Sequence, residues 1–513
     1  MKQSMRPYVL GAELGSTRIK AVVLDGDHVP VEAGEYQWQS LYENGLWTYP
    51  LEQVWQGLRA ALRQVEGREH IAAMGISAMM HGYLAFDENW ELLVPFRTWQ
   101  NTTTGPAAQE LTRRFGFPIP QRWSVAHLYQ AILNGEEHIS RLAHITTLAG
   151  YVHYMLTGVN AVGIGEASGI FPVDSEGLCY HQGMLDTFDA LIAERGLPWR
   201  LRDLLPQVLP AGQPAGELTT EGARLLEGLL PVGIPFAPPE GDAGTGMAAT
   251  NSVAPRTGNV SAGTSIFSMV VLERPLQQVH PEIDLVATPA GKGVAMVHCN
   301  NCTGDLNAWA GVFRETAVLL GAPEPGPELY PRLFRESLRG EADCGGILVC
   351  NYLAGEGVTG MDSGRPLVVR RPDSRLTLPN LLRAQIYSAL ATLSLGMEIL
   401  TQEGVAIDSL TGHGGLFKTP GVGQRFLAAA CGVPVKCMRT AGEGGPYGMA
   451  LLAAYRLRRE PGESLDAYLR WRVFSQVSAD TLAPDPADQA GFQTYLERYR
   501  ALLTLERTAL RTI

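Results

Sequence analysis

The chain has 513 residues, 45% of them hydrophobic and 18% charged, a balance that predicts two or more folded domains and excludes wholesale disorder. Its 41 Lys and Arg against 52 Asp and Glu leave a formal charge of −11, which excludes a broad nucleic-acid or anionic-membrane surface. A single nucleotide, held by backbone amides and a metal, stays compatible with that charge. No stretch reaches the roughly 18 apolar residues of a membrane span, and the start from Met1 to Pro7 lacks the apolar core of a signal peptide. The expected compartment is therefore the cytosol, where the seven cysteines are free thiols and the sequons at Asn101, Asn259 and Asn301 are idle.

In chain order, Tyr8 to Ala12 predicts a buried strand, followed by the loop Glu13-Leu14-Gly15-Ser16-Thr17-Arg18 and a second strand from Ile19 to Asp25. From Leu51 to Val65 the apolar positions Leu51, Val54, Trp55, Leu58, Ala61, Leu62 and Val65 follow the one-sided period of a helix lying on a sheet. Short strands are expected at Ile71 to Ser77 and Tyr83 to Phe86, and strands alternating with helices predict an α/β architecture. Residues 198–240, rich in Pro, Gly and Leu, predict surface crossings. After Val253, Gly258 to Ser265 followed by Ile266 to Leu272 repeats the opening pattern of strand, Gly/Ser/Thr loop and strand. A long helix is expected from Pro379 to Leu400, a strand into Gly412-His413-Gly414-Gly415, and a helix opened by Glu443 to Gly448. The boundary falls near 250, giving domains 1–253 and 254–513, with a polar helical extension after about 460.

Three loops, Gly15-Ser16-Thr17, Gly263-Thr264-Ser265 and Gly412 to Gly415, carry glycines and hydroxyls that suit phosphate, although a tight hairpin explains each equally well. There is neither a Walker A motif nor a GxGxxG after a strand. Asp242, in Glu240 to Gly246, is a candidate general base or metal contact, or a solvated turn residue. His81, just after a buried strand, reads as a ligand contact or a structural histidine. Trp99-Gln100-Asn101 gathers donors suited to a polyol, or forms a surface loop. Cys299 and Cys302 have metal-like spacing without a second matching pair, and read as buried thiols.

Taken in order, these segments resemble the FGGY carbohydrate kinase family, in its xylulokinase-like branch. Gly11 to Lys20 is similar to its first phosphate loop, Met80-His81-Gly82 and Trp99-Gln100-Asn101 to its sugar contacts, and Gly241-Asp242 to its catalytic Asp loop. Tyr151 to Gly158 with Glu166-Ala167-Ser168-Gly169, and Tyr352 to Glu356, are similar to two further family stretches. Gly263-Thr264-Ser265 resembles the second phosphate loop, and Thr411 to Gly415 and Glu443 to Gly448 the adenosine loops.

The resemblance implies two actin/hexokinase-like (ribonuclease H-like) α/β domains with a cleft between them, the N-terminal one binding sugar and the C-terminal one nucleotide. It implies ATP-dependent phosphorylation of a ketose, most simply a pentulose such as xylulose. Asp242 is the implied base, and Met80, His81, Trp99, Gln100, Asn101 and Asp242 the sugar contacts. Gly15, Ser16, Thr17, Arg18, Gly263, Thr264, Ser265, Gly414, Gly415, Gly444 and Gly445 are the implied ATP contacts, and Glu13 and Asp242 the Mg²⁺ contacts. The implied partners are a sugar and ATP, with no nucleic acid or membrane, and the family admits a homodimer. The chain departs from the family pattern at Glu13 and Asn101, where Asp is usual, and at Gly150 and Gly357. Other sugars (ribulose, a hexulose, sedoheptulose, a polyol) and an ATP- and sugar-binding sensor with weakened activity therefore stay open.

Overall fold

The computed structural model describes residues 7–438, 444–477 and 479–512. By contact the chain divides into two compact units, one of Met1–Ala254 with Leu285–Val294 and Glu443–Gln476, the other of Pro255–Asp284, Ala295–Gly442 and Val477–Ile513. The segments 285–294 and 443–476 thus count with the first unit, although the sequence placed them within 254–513. Among the described residues no helix is long and apolar enough to cross a membrane.

The first unit is built on a five-stranded sheet. Strands β1 (Tyr8–Leu14), β2 (Arg18–Leu24) and β3 (Pro30–Gln37) form an antiparallel meander, and β4 (Ile71–Ala78) and β5 (Glu240–Gly241) continue it in parallel, in the order β5-β4-β1-β2-β3. Val9 to Ala12 of β1 and Ala73 to Ala78 of β4 are all buried, as expected of strands covered on both faces. Helix α1 (Leu51–Arg63) buries Val54, Leu58, Ala61 and Leu62 at the predicted period. The helix Gly444–Arg458 lies against β1, and only glycine permits the approach. A Cβ on Gly11 would stand 2.1 Å from the Pro446 carbonyl oxygen, and one on Gly448 would stand 1.9 Å from that of Thr245.

The proline-rich stretch ends differently from expectation. Ile234 and Phe236 to Glu240 are buried, and the Ala237 amide donates to the Met74 carbonyl at 2.8 Å, so this segment runs inside, beside β4. Asp242 likewise sits on no loop: it is the first residue of helix α2 (Asp242–Ala249).

The second unit repeats the pattern. Strands β6 (Thr257–Ala262) and β7 (Ile266–Val271) form a hairpin, β8 (Gly293–Cys299) lies beside β7, and β9 (Ser409–Gly414) pairs with β6 in parallel. Beyond β9 come β10 (Val435–Met438) and β11 (Ala479–Leu482). The hairpin flanked by a parallel strand is the structural form of the repeat read from the sequence. Helix α3 (Leu378–Gln402) buries Leu382, Ile386, Leu390, Leu393, Met397 and Leu400. The expected polar extension is in fact amphipathic. Helix α4 (Pro486–Thr512) buries Phe492, Tyr495, Leu496, Tyr499 and Leu502, and its Asp488 pairs with buried Arg383 of α3 at 2.6 Å.

Candidate active site

Parallel pairing in the first unit puts three strand ends in register. Glu13 of β1 lies opposite Ser77 of β4, and Ser77 opposite Glu240 of β5, so the strands deliver Glu13, Ser77 and Glu240 side by side with Asp242 just beyond. Carboxyl ends of parallel strands are where α/β sheets bind ligands. Asp242 is exposed at the start of α2 and accepts the Met80 N–H at 3.1 Å. The protein packed around it holds its carboxyl above the ordinary range, against the downward pull of the Met80 and Ala243 amides. Glu13 is pushed up to about 8, first by burial and then by the charge of Asp242, while Lys20 opposes. Gly445 lies directly over Glu13: a Cβ there would stand 1.8 Å from Glu13 Oε1.

Two buried acids that sequence reasoning missed complete the group. Glu240 accepts the N–H of Gly165 at 3.3 Å and of Glu166 at 2.9 Å, and burial pushes it up to about 8. Glu166 lies against Gly241, where a Cβ would meet Glu166 Oε2 at 2.4 Å, and burial above all holds it well above the usual carboxylate range. The signal for Glu240 was its place two residues before Asp242, and for Glu166 its place in the Glu-Ala-Ser-Gly stretch. The same turn reaches the histidine. His81, with φ of 72°, lies 3.4 Å through Nδ1 from the Gly169 carbonyl oxygen and stacks on Trp123. A Cβ on Gly169 would meet both His81 and Met80. Asp242, Met80 and His81 are therefore one connected cluster.

The segment Trp99-Gln100-Asn101 divides in role. Trp99 Nε1 donates to Ser16 Oγ at 3.4 Å. Gln100 Oε1 is buried with no hydrogen-bond partner among the described residues. Asn101 is committed inward: Oδ1 accepts the Trp47 N–H at 2.9 Å, and Nδ2 donates to the carbonyls of Trp47 at 2.8 Å and Thr98 at 3.1 Å. Its amide grips the backbone of Trp47 from both sides, a task that needs a donor and an acceptor on one side chain.

The glycine turns share a construction. In the first, the Gly15 N–H donates to Arg18 O at 2.9 Å, while the carbonyls of Gly15 and Ser16 accept Trp38 Nε1 at 2.6 Å and the Tyr49 hydroxyl at 2.7 Å. Among the described residues there are no cis peptides, and in a trans peptide the following N–H points opposite to the carbonyl. The amides of Ser16 and Thr17 thus point away from those aromatic donors. Arg18 is exposed and pairs with Glu35 at 3.1 Å. In the second unit, Gly263 O accepts the Thr303 hydroxyl at 2.8 Å and Thr264 O the Cys302 N–H at 2.9 Å, so the amides of Thr264 and Ser265 turn away from Thr303 and Cys302. Gly414, with φ of 92°, ends β9 beside Ala262, where a Cβ would stand 2.5 Å from the Ala262 carbonyl oxygen, and Gly415 opens the next turn. Gly444 and Gly445 open the helix that covers Glu13, so the structure places them with the acids of the first unit. Glu443 lies outside the described residues. Cys299 and Cys302 are buried free thiols, and no group of three or more His, Cys, Asp or Glu able to hold a metal occurs among the described residues.

Comparison with known proteins shows the family of the chain. Residues 8–248 match the N-terminal domain of the FGGY family of carbohydrate kinases, and residues 258–457 its C-terminal domain. The xylulose kinase of Haemophilus influenzae is 23% identical over 451 residues, covering 84% of this chain and 87% of that protein. The crystal structure of gluconate kinase from Lactobacillus acidophilus superposes with a TM-score of 0.80 at 18% identity, covering 99% of each chain. Ligand-bound xylulose kinase from the same organism gives 0.79 at 17% identity, covering 98% of each. At these identities the two structures speak for the fold. The chain belongs to the FGGY family of carbohydrate kinases and is a phosphotransferase.

Proposed function

We propose that the chain phosphorylates a ketose with ATP, that it belongs to the xylulokinase-like branch, that a pentulose such as xylulose is its substrate, and that it works in the cytosol. The observation that carries this reading is the Asp242 carboxylate, exposed at the head of α2, anchored by the Met80 amide and adjoining the His81 segment. Asp242 takes the proton of the attacking sugar hydroxyl. The freed oxygen bonds to the γ-phosphorus as the bond to the ADP oxygen breaks, which yields sugar phosphate and ADP. A carboxyl held above its ordinary range is a stronger base once ionised, which suits this step. Met80, His81, Trp99 and Gln100 contact the sugar, and the open acceptor of Gln100 suits a hydroxyl donor. The amides of the Gly15 to Arg18 and Gly263 to Ser265 turns, with Gly414, Gly415, Gly444 and Gly445, hold ATP.

Glu13 and Asp242 fit Mg²⁺, which commonly takes one or two carboxylates with phosphate oxygens and water, and the charge of Asp242 raises Glu13's need for a counter-charge. When bound, the ion neutralises charge between these carboxylates and the triphosphate. The sensor alternative rests on Glu13 and Asn101, and the inward bonds of Asn101 to Trp47 support the active kinase over it. The test is a coupled ADP-release screen of purified protein against ketoses and polyols. Sugar-dependent release, strongest with a pentulose, is expected. ATP binding without release on any sugar would establish the sensor instead.

A further inference from the structure

The second phosphate turn is held by a chain of side chains to which neither composition nor motif assigns a task. Cys302 and Thr303, which bind the carbonyls of Thr264 and Gly263, follow directly on Asn301. Asn301 is buried and fully engaged. Its Oδ1 accepts the N–H of Leu353 at 2.8 Å and of Ala354 at 3.0 Å, and its Nδ2 donates to Ala354 O at 3.1 Å and to Glu356 Oε2 at 3.2 Å. Glu356 Oε2 also accepts the Asn301 N–H at 3.4 Å. Asn351 Nδ2 donates to Cys302 O at 2.8 Å, and Ser388 of α3 in turn donates to Asn351 Oδ1 at 3.0 Å. The turn is thus tied, link by link, to the long central helix.

The direction of these bonds matters. They draw the carbonyls of Gly263 and Thr264 toward residues 302–303, and the trans peptide geometry then turns the amides of Thr264 and Ser265 the other way, as a pair of donors for an anion. Without the lock, these peptide planes can rotate and present carbonyl oxygens, which repel phosphate.

We infer that Asn301 and Glu356 are positioning residues for ATP: together they fix the peptide planes of the Gly263 to Ser265 turn so that its amides face the nucleotide phosphates. This rests on the proposed ATP role of that turn. The substitutions sort by polarity. Glu356→Gln keeps an acceptor for the Asn301 donors. Asn301→Asp replaces the donor by an oxygen facing Glu356 and Ala354 O and leaves both of those bonds unmade. Combining Asn301→Asp with Glu356→Gln restores a bond of reversed direction, since the new amide donates to the new carboxylate.

The experiment is calorimetric titration of wild type and the three variants with ATP and with adenosine, which has no phosphate, beside thermal melts. A broken buried hydrogen bond predicts about tenfold weaker ATP binding for Asn301→Asp. Adenosine affinity should change less than about twofold, because adenosine has no phosphate for the turn to hold. Glu356→Gln should resemble wild type, and the double variant should regain much of the loss. Equal losses for ATP and adenosine, unchanged ATP affinity in Asn301→Asp, or a double variant no better than the single would each overturn the lock. If wild type binds no ATP, the nucleotide reading of the turn fails and the lock with it. If wild type binds ATP and Asn301→Asp binds it equally well, the lock alone fails.

Discussion

Glu13 and Ser261 hold the same place in two copies of one pattern. Each is the penultimate residue of the first strand of a hairpin, and each faces the neighbouring parallel strand in register, Glu13 opposite Ser77 and Ser261 opposite His413. Around Glu13 the first unit adds Glu166, Glu240 and Asp242. Around Ser261 the second unit offers hydroxyls and amides, with a His413 that burial holds down at about 4 and therefore neutral. The braces of the glycine turns differ too: aromatic Trp38 and Tyr49 in the first unit, the Cys302–Thr303 segment in the second. One topology thus carries two chemistries. Carboxylates can take a proton or attract a cation but repel phosphate, whereas neutral donors hold phosphate without that repulsion.

The comparison breaks most visibly at Asp242. Asp242→Asn keeps shape and hydrogen bonding while removing the proton acceptor, so kcat should fall by about 10²–10⁴. Binding of sugar and ATP, followed by titration, should change little. Near-normal turnover would move the proton chemistry elsewhere.

The next effect is at Glu13. Glu13→Gln should raise the Mg²⁺ concentration for half-maximal activity by roughly tenfold, the worth of one charge-assisted contact. Glu13→Asp should be tolerated. Indistinguishable Mg²⁺ titrations of wild type and Glu13→Gln would make the acid structural and remove the contrast with Ser261.

A smaller effect belongs to Asn101. Asn101→Asp loses the donors to Trp47 O and Thr98 O and sets a carboxylate against two carbonyls, at about 1–3 kcal/mol. The melting temperature should drop, and the sugar KM should rise a few-fold as Trp99 and Gln100 loosen, with the order of preference among sugars unchanged. An unchanged melting temperature with an altered sugar preference would return Asn101 to the substrate.

The smallest is a pH effect. Glu240 ionises near its ordinary 4.5 when unfolded but is pushed up to about 8 by burial in the native state. Between those values the folded protein holds more protons than the unfolded one, so stability falls as pH rises from about 4.5 to about 8. Melts from pH 5 to pH 8 should show that fall, and Glu240→Gln should shrink it. Equal slopes in both proteins would show that Glu240 does not carry this proton.

Both hairpins, α1 and α3 were legible in the sequence because local periodicity and glycine punctuation report local geometry, whereas Asp242, read as a loop residue, opens a helix. The buried acids were not legible. Glu166 and Glu240 lie 74 residues apart, and only tertiary folding brings them together, through the Gly165 and Glu166 amides that bind the Glu240 carboxylate. The inner course of Phe236 to Glu240 was hidden because prolines and glycines mark surface turns in most chains but here line a tightly packed segment. The polar count of the last helix concealed its buried stripe of Phe492, Tyr495 and Tyr499, which faces one way only. Asn101 read as a sugar contact because residue type shows what a side chain can bond, and tertiary structure decides what it does bond.

The most direct test of the account is to follow the phosphorus itself. Phosphorus NMR of the protein with ATP, Mg²⁺ and the ketose preferred in the ADP-release screen should show a sugar phosphate monoester growing in step with ADP, and Asp242→Asn should bind both substrates and form almost none. ADP accompanied only by inorganic phosphate, or intact ATP beside bound sugar, would contradict it.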